Sequence, residues 1–155
     1  MAVVTMASMS SDTQAALGDF ERACRANHLS ITPQRTAIFR ELITSEEHPS
    51  AVAIFRKVKE YYSNISLDTV NRTLLMFHEI GLAKIVESSG DPKRFDPNLT
   101  PHHHFRCVSC GKIVDFENAP YDALEVPRAI REKYVIREKR VHLEGFCDSC
   151  RTERE

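Results

Sequence analysis

The chain has 155 residues, 42% of them apolar and 28% charged, with a formal net charge of −1. This is the make-up of a soluble globular protein of one ordinary domain or two small ones. No run of about 18 apolar residues occurs, so no membrane span is expected. The charge is even along the chain, with 11 basic and 11 acidic side chains in residues 1–94 and 10 and 11 in residues 95–155. Neither part is a basic domain, so DNA binding would need a local patch or bound cations.

Residues 1–11 lack the basic start and long apolar core of a secretory signal and read as a frayed tail, with Met6 or Met9 as alternative starts. A cytoplasmic protein is therefore expected. Residues 12–28 carry Ala16, Leu17, Phe20, Ala23 and Cys24 at the spacing of an amphipathic helix, which leaves Cys24 a partly buried, inert thiol. Thr32 and Pro33 suit the N-cap and first position of a second helix through Ile38, Phe39 and Leu42. Pro49 or Ser50 opens a third through Val52, Ile54, Phe55, Val58 and Tyr62. Ser66 caps a fourth, with Asp68 favouring its N-terminal dipole and Val70, Leu74 and Phe77 on one face. Gly81 ends it.

The segments Leu82–Val86 and Arg94–Asp96 flank a turn, Ser88–Pro92, and read as a two-stranded hairpin. Short helices followed by a hairpin predict a winged helix-turn-helix over 12–96, its fourth helix suited to a major groove. Residues 97–101 read as a linker, and 102–155 as a small second domain. There the pattern predicts strands at His104–Arg106 and Ile113–Phe116, a helix over Asp122–Lys133 and a last strand over Val135–Glu144. The fold class is α+β, and a second domain this small needs a staple.

Cysteine supplies one. Cys107, Cys110, Cys147 and Cys150 form two Cys-x-x-Cys pairs, enough to close a tetrahedral shell around structural zinc. The competing readings are disulfides and a redox motif; two matched pairs in a chain without a secretory signal favour zinc. A shell closed by four thiolates leaves no open position for catalysis. Ahead of the first pair, His102 and His104 alternate in a strand and share a face, while His103 points the other way. Such a pair is either part of a metal site or two ordinary histidines, and spacing brings neither His48, Asp96 nor Asp115 to it. Nitrogen and oxygen donors of this kind suit iron, manganese or zinc.

The chain resembles the ferric uptake regulator family from about residue 15 to about residue 150. The resemblance is carried by Ile31–Arg35, His48-Pro49, Ser66–Val70, Gly81-Leu82, Arg94–Asp96, His102-x-His104-x-x-Cys107-x-x-Cys110 through Phe116, and Gly145-x-Cys147-x-x-Cys150. It implies a homodimeric, metal-dependent repressor of double-stranded operator DNA. It implies an N-terminal DNA-binding domain, a C-terminal dimerisation domain, and a regulatory metal, Fe(II) or Mn(II), held by His48, Asp96, His102, His104 and Asp115. Aspartate at both 96 and 115 is similar to the peroxide-responsive branch, whereas iron-uptake regulators usually place glutamate at both.

In that branch ferrous iron reacts with hydrogen peroxide and a ligand histidine gains an oxygen atom; His48 and His102 stand at the oxidised positions. Manganese supports DNA binding without that chemistry. Losing either ligand would shift the population away from the DNA-binding state. The chain departs from the family in two places. Asn71 follows Val70 where tyrosine is usual. A further metal site that would use His103 and Asp122 meets Lys139 at its third position, so that site is expected to be absent or weak and His103 to be a solvated surface residue.

Thr69, Asn71 and Arg72 are the helix positions offered to DNA. Arg35, Lys57, Lys59 and Arg72 are candidate phosphate or base contacts, against the alternative of solvated helix-surface charges. Three other functional readings compete. One is an iron- or zinc-responsive regulator without peroxide sensing. Another is a non-haem metalloenzyme, which lacks room for substrate and any nucleophile or general-base set. The last is a zinc-stapled interaction module, which leaves the helix-turn-helix pattern unexplained.

Overall fold

The computed structural model describes residues 11–86 and 92–152. The expected frayed tail, apart from Ser11, and the expected wing turn, apart from Pro92, lie outside the described residues. The chain divides into two compact units, 1–99 and 100–155.

The first unit is four helices and a hairpin: α1 (Ser11–Ala26), α2 (Pro33–Ile43), α3 (Ala51–Val58), α4 (Leu67–Glu79), β1 (Lys84–Val86) and β2 (Arg94–Asp96). Three of the helices start on side-chain caps. Thr32 accepts the Arg35 amide at 3.2 Å, Ser50 that of Ala53 at 3.3 Å and Ser66 that of Thr69 at 3.1 Å. Each such cap stabilises its helix by about 1 kcal/mol.

The first helix ends two residues earlier than its pattern predicts. His28 takes a positive φ of 55°, and the Leu29 amide turns back to the Cys24 carbonyl. At the end of α4, Gly81 (φ +78°) lets the Leu82 amide reach the Phe77 carbonyl at 2.8 Å, a Schellman closure. The third helix also stops short, at Val58, with a turn carrying the chain on to Tyr62.

Phe20, Phe39 and Phe77 form the centre of the core. The first two stack at 4.9 Å, and Phe77 meets both edge-on at 5.8 and 5.5 Å. Ile38, Leu42, Ile54, Val58, Val70 and Leu74 close around them. Each such side chain contributes about 1.5–3 kcal/mol when fully buried. Cys24 is fully rather than partly buried, because its helix turns that face onto α2 and the aromatic cluster. Val52, one of the apolar residues of the third helix, is exposed. The hairpin pairs Lys84 with Asp96, Ile85 with Phe95 and Val86 with Arg94.

The second unit has a three-stranded sheet in the order β4-β3-β5, from β3 (His103–Cys107), β4 (Ile113–Phe116) and β5 (His142–Gly145). The β3–β4 pairing is antiparallel and the β3–β5 pairing parallel. Three four-residue helices accompany them: α5 (Ala119–Asp122), α6 (Arg128–Arg131) and α7 (Asp148–Arg151).

Two expectations change here. Of the predicted helix over 122–133 only Asp122, the last residue of α5, and α6 are helical; Pro127 has no amide hydrogen and disfavours the helical region for the residue before it. The predicted strand over 135–144 shortens to four residues, those matched in register by His104–Cys107 on β3. Ahead of it, Lys139 turns its ammonium onto the carbonyls of Asp122 and Leu124.

Candidate metal centres and nucleic-acid interface

The four cysteine sulfurs of the second unit lie within 4.8 Å of one another. A tight turn sets up each pair. Between Cys107 and Lys112, Gly111 adopts φ +74°, its amide bonds the Cys107 carbonyl, and the Cys107 amide bonds the Lys112 carbonyl. The second pair sits at the start of α7, where the Cys147 amide donates to Cys107 Sγ at 3.4 Å. Parallel pairing of Cys107 with Gly145 brings the two turns side by side.

Cys110 and Cys147 sulfurs are 3.8 Å apart. A disulfide needs about 2.05 Å, whereas thiolates about 2.3 Å from one zinc ion stand about 3.8 Å from each other. All five cysteines are free. Amides of Cys110 and Cys147 aimed at its sulfur pull the Cys107 thiol down to about 6, and the neighbouring Cys147 sulfur pushes Cys150 up to about 12. Crowded sulfurs that cannot all ionise unaided suit a divalent cation, and the donor set fits zinc.

The same strand begins a second donor group. His102 Nδ1 lies 2.7 Å from the Thr100 carbonyl, so it carries the proton and leaves the Nε2 lone pair outward. That Nε2 is 2.9 Å from His104 Nε2, and Asp115 Oδ1, from the paired strand, is 3.7 and 3.3 Å from the two nitrogens. These separations are those of neighbouring ligands around an ion with bonds of about 2.0–2.2 Å. A ring N–H anchored on a backbone carbonyl is the usual support for a ligating histidine.

In the first unit, His48 Nε2 and Asp96 Oδ2 stand 3.6 Å apart. The wing makes this pair. Phe95 donates its amide to the Pro49 carbonyl at 3.0 Å, Arg94 bridges to Ser50, and Arg94 Nε donates to the His48 carbonyl. Asp96 Oδ1 meanwhile accepts the Asn98 amide at 2.7 Å, which leaves Oδ2 toward the imidazole. In the sequence, His48 and Asp96 stand out only through the family resemblance, and nothing assigns Arg94 a site role. Its only signal was a basic residue two positions before a candidate ligand.

His103 corrects an expectation. It is 1% exposed, not solvated. Alternation did point it away from His102 and His104, but that opposite face is roofed by Phe116 and Tyr121, with ring centroids at 5.5 and 5.6 Å. Its Nδ1 accepts the Val141 amide at 3.1 Å and its Nε2 faces Asp122 Oδ1 at 3.2 Å. Lys139, at the position that sequence reading set against a third metal site, bonds two carbonyls beside them.

The candidate DNA contacts sit on α2, α3 and α4, with Lys59 just past the end of α3. Arg35 Nη1 donates to the Ser30 carbonyl at 2.5 Å, Lys57 lies 3.9 Å from Glu41, and Lys59 stands over the Phe55 ring at 5.0 Å. On α4, Thr69 Oγ1 shares a hydrogen bond with Ser66 Oγ at 2.9 Å, and Arg72 is 3.6 Å from Asp68, both of them exposed. Asn71 lines a cavity beside the wing.

Comparison with known proteins agrees with this geometry. The family model "Ferric uptake regulator family" matches residues 26–144. The chain is 37% identical over 123 residues to the peroxide-responsive repressor PerR of Staphylococcus epidermidis, covering 79% of this chain and 82% of that protein. The Helicobacter pylori ferric uptake regulator superposes with a TM-score of 0.75 at 20% identity, covering 90% of this chain and 93% of that one. A structure described as GAS PerR-Zn-Zn gives 0.51 at 30% identity, over 88% and 87%. With its winged helix followed by a small α/β unit carrying four convergent cysteines, the chain belongs to the ferric uptake regulator family.

Proposed function

We propose that the chain is a homodimeric, metal-dependent repressor of operator DNA that senses hydrogen peroxide through His48 and His102. The observation that carries the reading is the set His102, His104 and Asp115. A backbone-anchored imidazole, a second imidazole and a carboxylate converge at ligand-to-ligand spacing. His48 with Asp96 is a complementary donor pair in the first unit. Together the five residues are the proposed regulatory site, and Cys107, Cys110, Cys147 and Cys150 the structural zinc site.

Bound iron(II) would supply reduction of peroxide with transfer of an oxygen atom to a ligand imidazole. The chain's own residues orient and hold. Thr100 fixes the His102 tautomer, Arg94 holds the main chain of His48, and Asn98 turns Asp96. A metal ion that took ligands from both units would tie them across residues 97–101, and oxidation of His48 or His102 would release that tie and, with it, the operator. Similarity to peroxide-responsive repressors supports the sensing step.

Exposed Leu124, Tyr134, Val135 and Ile136 support pairing of the second unit with another copy. Among the described residues no helix is long and apolar enough to cross a membrane. The donor set by itself equally suits a metal-homeostasis regulator that ignores peroxide.

Operator gel shifts with Fe(II) or Mn(II), with and without peroxide, followed by peptide mass spectrometry, separate the two readings. The expected result is loss of DNA binding in the iron form alone, with one added oxygen on the His48 or His102 peptide. Intact binding and unmodified peptides in the iron form would overturn peroxide sensing.

A further inference from the structure

We propose that the cavity beside the N-terminal half of α4 reads the major-groove edge of an A·T base pair, Asn71 taking the adenine and an apolar wall the thymine methyl. The proposal rests on the DNA-binding reading above and deepens it to one base step.

The cavity, about 500 Å³, is bounded by three parts of the first unit. Ala51 and Val52 come from the start of α3, Leu67, Asp68 and Asn71 from α4, and Pro92 and Lys93 from the approach to β2. Val52 and Leu67 are 37% and 39% exposed, two large apolar side chains at the mouth of a helix-turn-helix.

The polar groups of α4 differ in how far they are committed. Thr69 is engaged with the cap residue Ser66 through both its amide and its hydroxyl. Arg72 and Asp68 face each other one helical turn apart. The Asn71 carboxamide makes no hydrogen bond or ion pair among the described residues. Among the described residues it is thus an uncommitted hydrogen-bonding group on the stretch of helix that lines the cavity.

Its chemistry selects a base. A carboxamide offers one acceptor beside one donor, which matches adenine N6–H and N7 in a bidentate pair. Guanine presents two acceptors on that edge, so one would face the amide oxygen, and cytosine offers a donor alone. On the same base pair, thymine projects its methyl group into the major groove, where Ala51, Val52 and Leu67 give an apolar surface. Lys93 at the rim suits a flanking phosphate. Asp68 would oppose one, but its exposed carboxylate is faced by Arg72.

The test uses the full chain with Mn(II). Selection from a random double-stranded library is run with the wild type and with Asn71→Ala, a change that favours helix and keeps the fold. The wild type should enrich a motif with one fixed A·T step per half-site, which becomes degenerate with Asn71→Ala while the other positions persist. On the selected duplex, 7-deazaadenine at that step should weaken the wild type about 5- to 150-fold and leave Asn71→Ala unchanged. Uracil for the paired thymine should weaken the wild type but not Leu67→Ala.

An unchanged motif with Asn71→Ala, or a wild type indifferent to 7-deazaadenine at every selected adenine, overturns the adenine contact. Indifference of the wild type to uracil overturns the methyl contact. A wild type that enriches no motif overturns the DNA-binding reading together with this one.

Discussion

Arg94 Nε donates to the main-chain carbonyl of His48, two residues before Asp96 sets its carboxylate 3.6 Å from the same histidine's ring. One strand of three residues thus supplies both a candidate ligand and the clamp on its neighbour. Removing the clamp leaves the ligands in place but unlocks the loop that carries one of them. Arg94→Ala should weaken Mn(II) binding by about 10- to 100-fold, the usual effect of losing an outer-shell partner. Calorimetric titration with Mn(II) reads this, with zinc content by mass spectrometry as the control that should not change. Unaltered Mn(II) affinity would show that Arg94 does not position His48.

The cysteine centre makes a different prediction, about folding. Structural zinc binding in small domains is worth about 10–16 kcal/mol and is inseparable from folding. Cys107→Ser removes the buried sulfur that receives the Cys147 amide. The variant should lose one zinc equivalent per chain and melt its second unit at a lower temperature, while the first unit keeps its own transition. Calorimetry of wild type and variant, with metal analysis on the same samples, checks both halves.

His103 should matter for stability and not for metal. Truncation to alanine leaves the Val141 amide without its acceptor and opens space beside Phe116 and Tyr121. A loss of about 2–4 kcal/mol is expected from the two effects together. Urea unfolding of wild type and His103→Ala, followed by far-ultraviolet circular dichroism, measures it. A drop in bound metal with unchanged stability would instead make His103 a ligand.

Cys24 should be silent in the folded protein. Burial pushes its thiol above the ordinary value of 9.0, with Arg35 opposing more weakly. An acid whose folded pKa is raised favours folding in its protonated form. Its contribution is therefore steady below about pH 9 and declines as pH rises beyond that. Iodoacetamide at pH 8 should label Cys24 only after denaturant is added, and Cys24→Ala should flatten the alkaline limb of the stability profile. Prompt labelling of the native protein would contradict its burial.

Local chemistry made much of this molecule readable. Thr32, Ser50 and Ser66 announce three helix starts because a short hydroxyl side chain can satisfy an amide within one turn. The separation of His102 and His104 from His103 follows from the two-residue repeat of a strand. Where the structure departs from the local pattern, a non-local partner or a helix breaker is the cause. Pro127 interrupts the predicted helix over 122–133 and caps the short α6 instead. The shortening of the last strand depends on how much of β3 is available to pair with it.

The sequence by itself determined which donors exist and how neighbours along the chain are turned: two Cys-x-x-Cys grips, and two imidazoles on one side of a strand with a third on the other. Covalent geometry sets those relations within a few residues, so they need no fold to be known. Only the tertiary structure decided what each face meets. The wing strand returns to Pro49 and Ser50 and brings Arg94 to His48 across 46 positions. α5 roofs β3 and buries His103. Such contacts arise from packing between distant segments, and no local spacing encodes them.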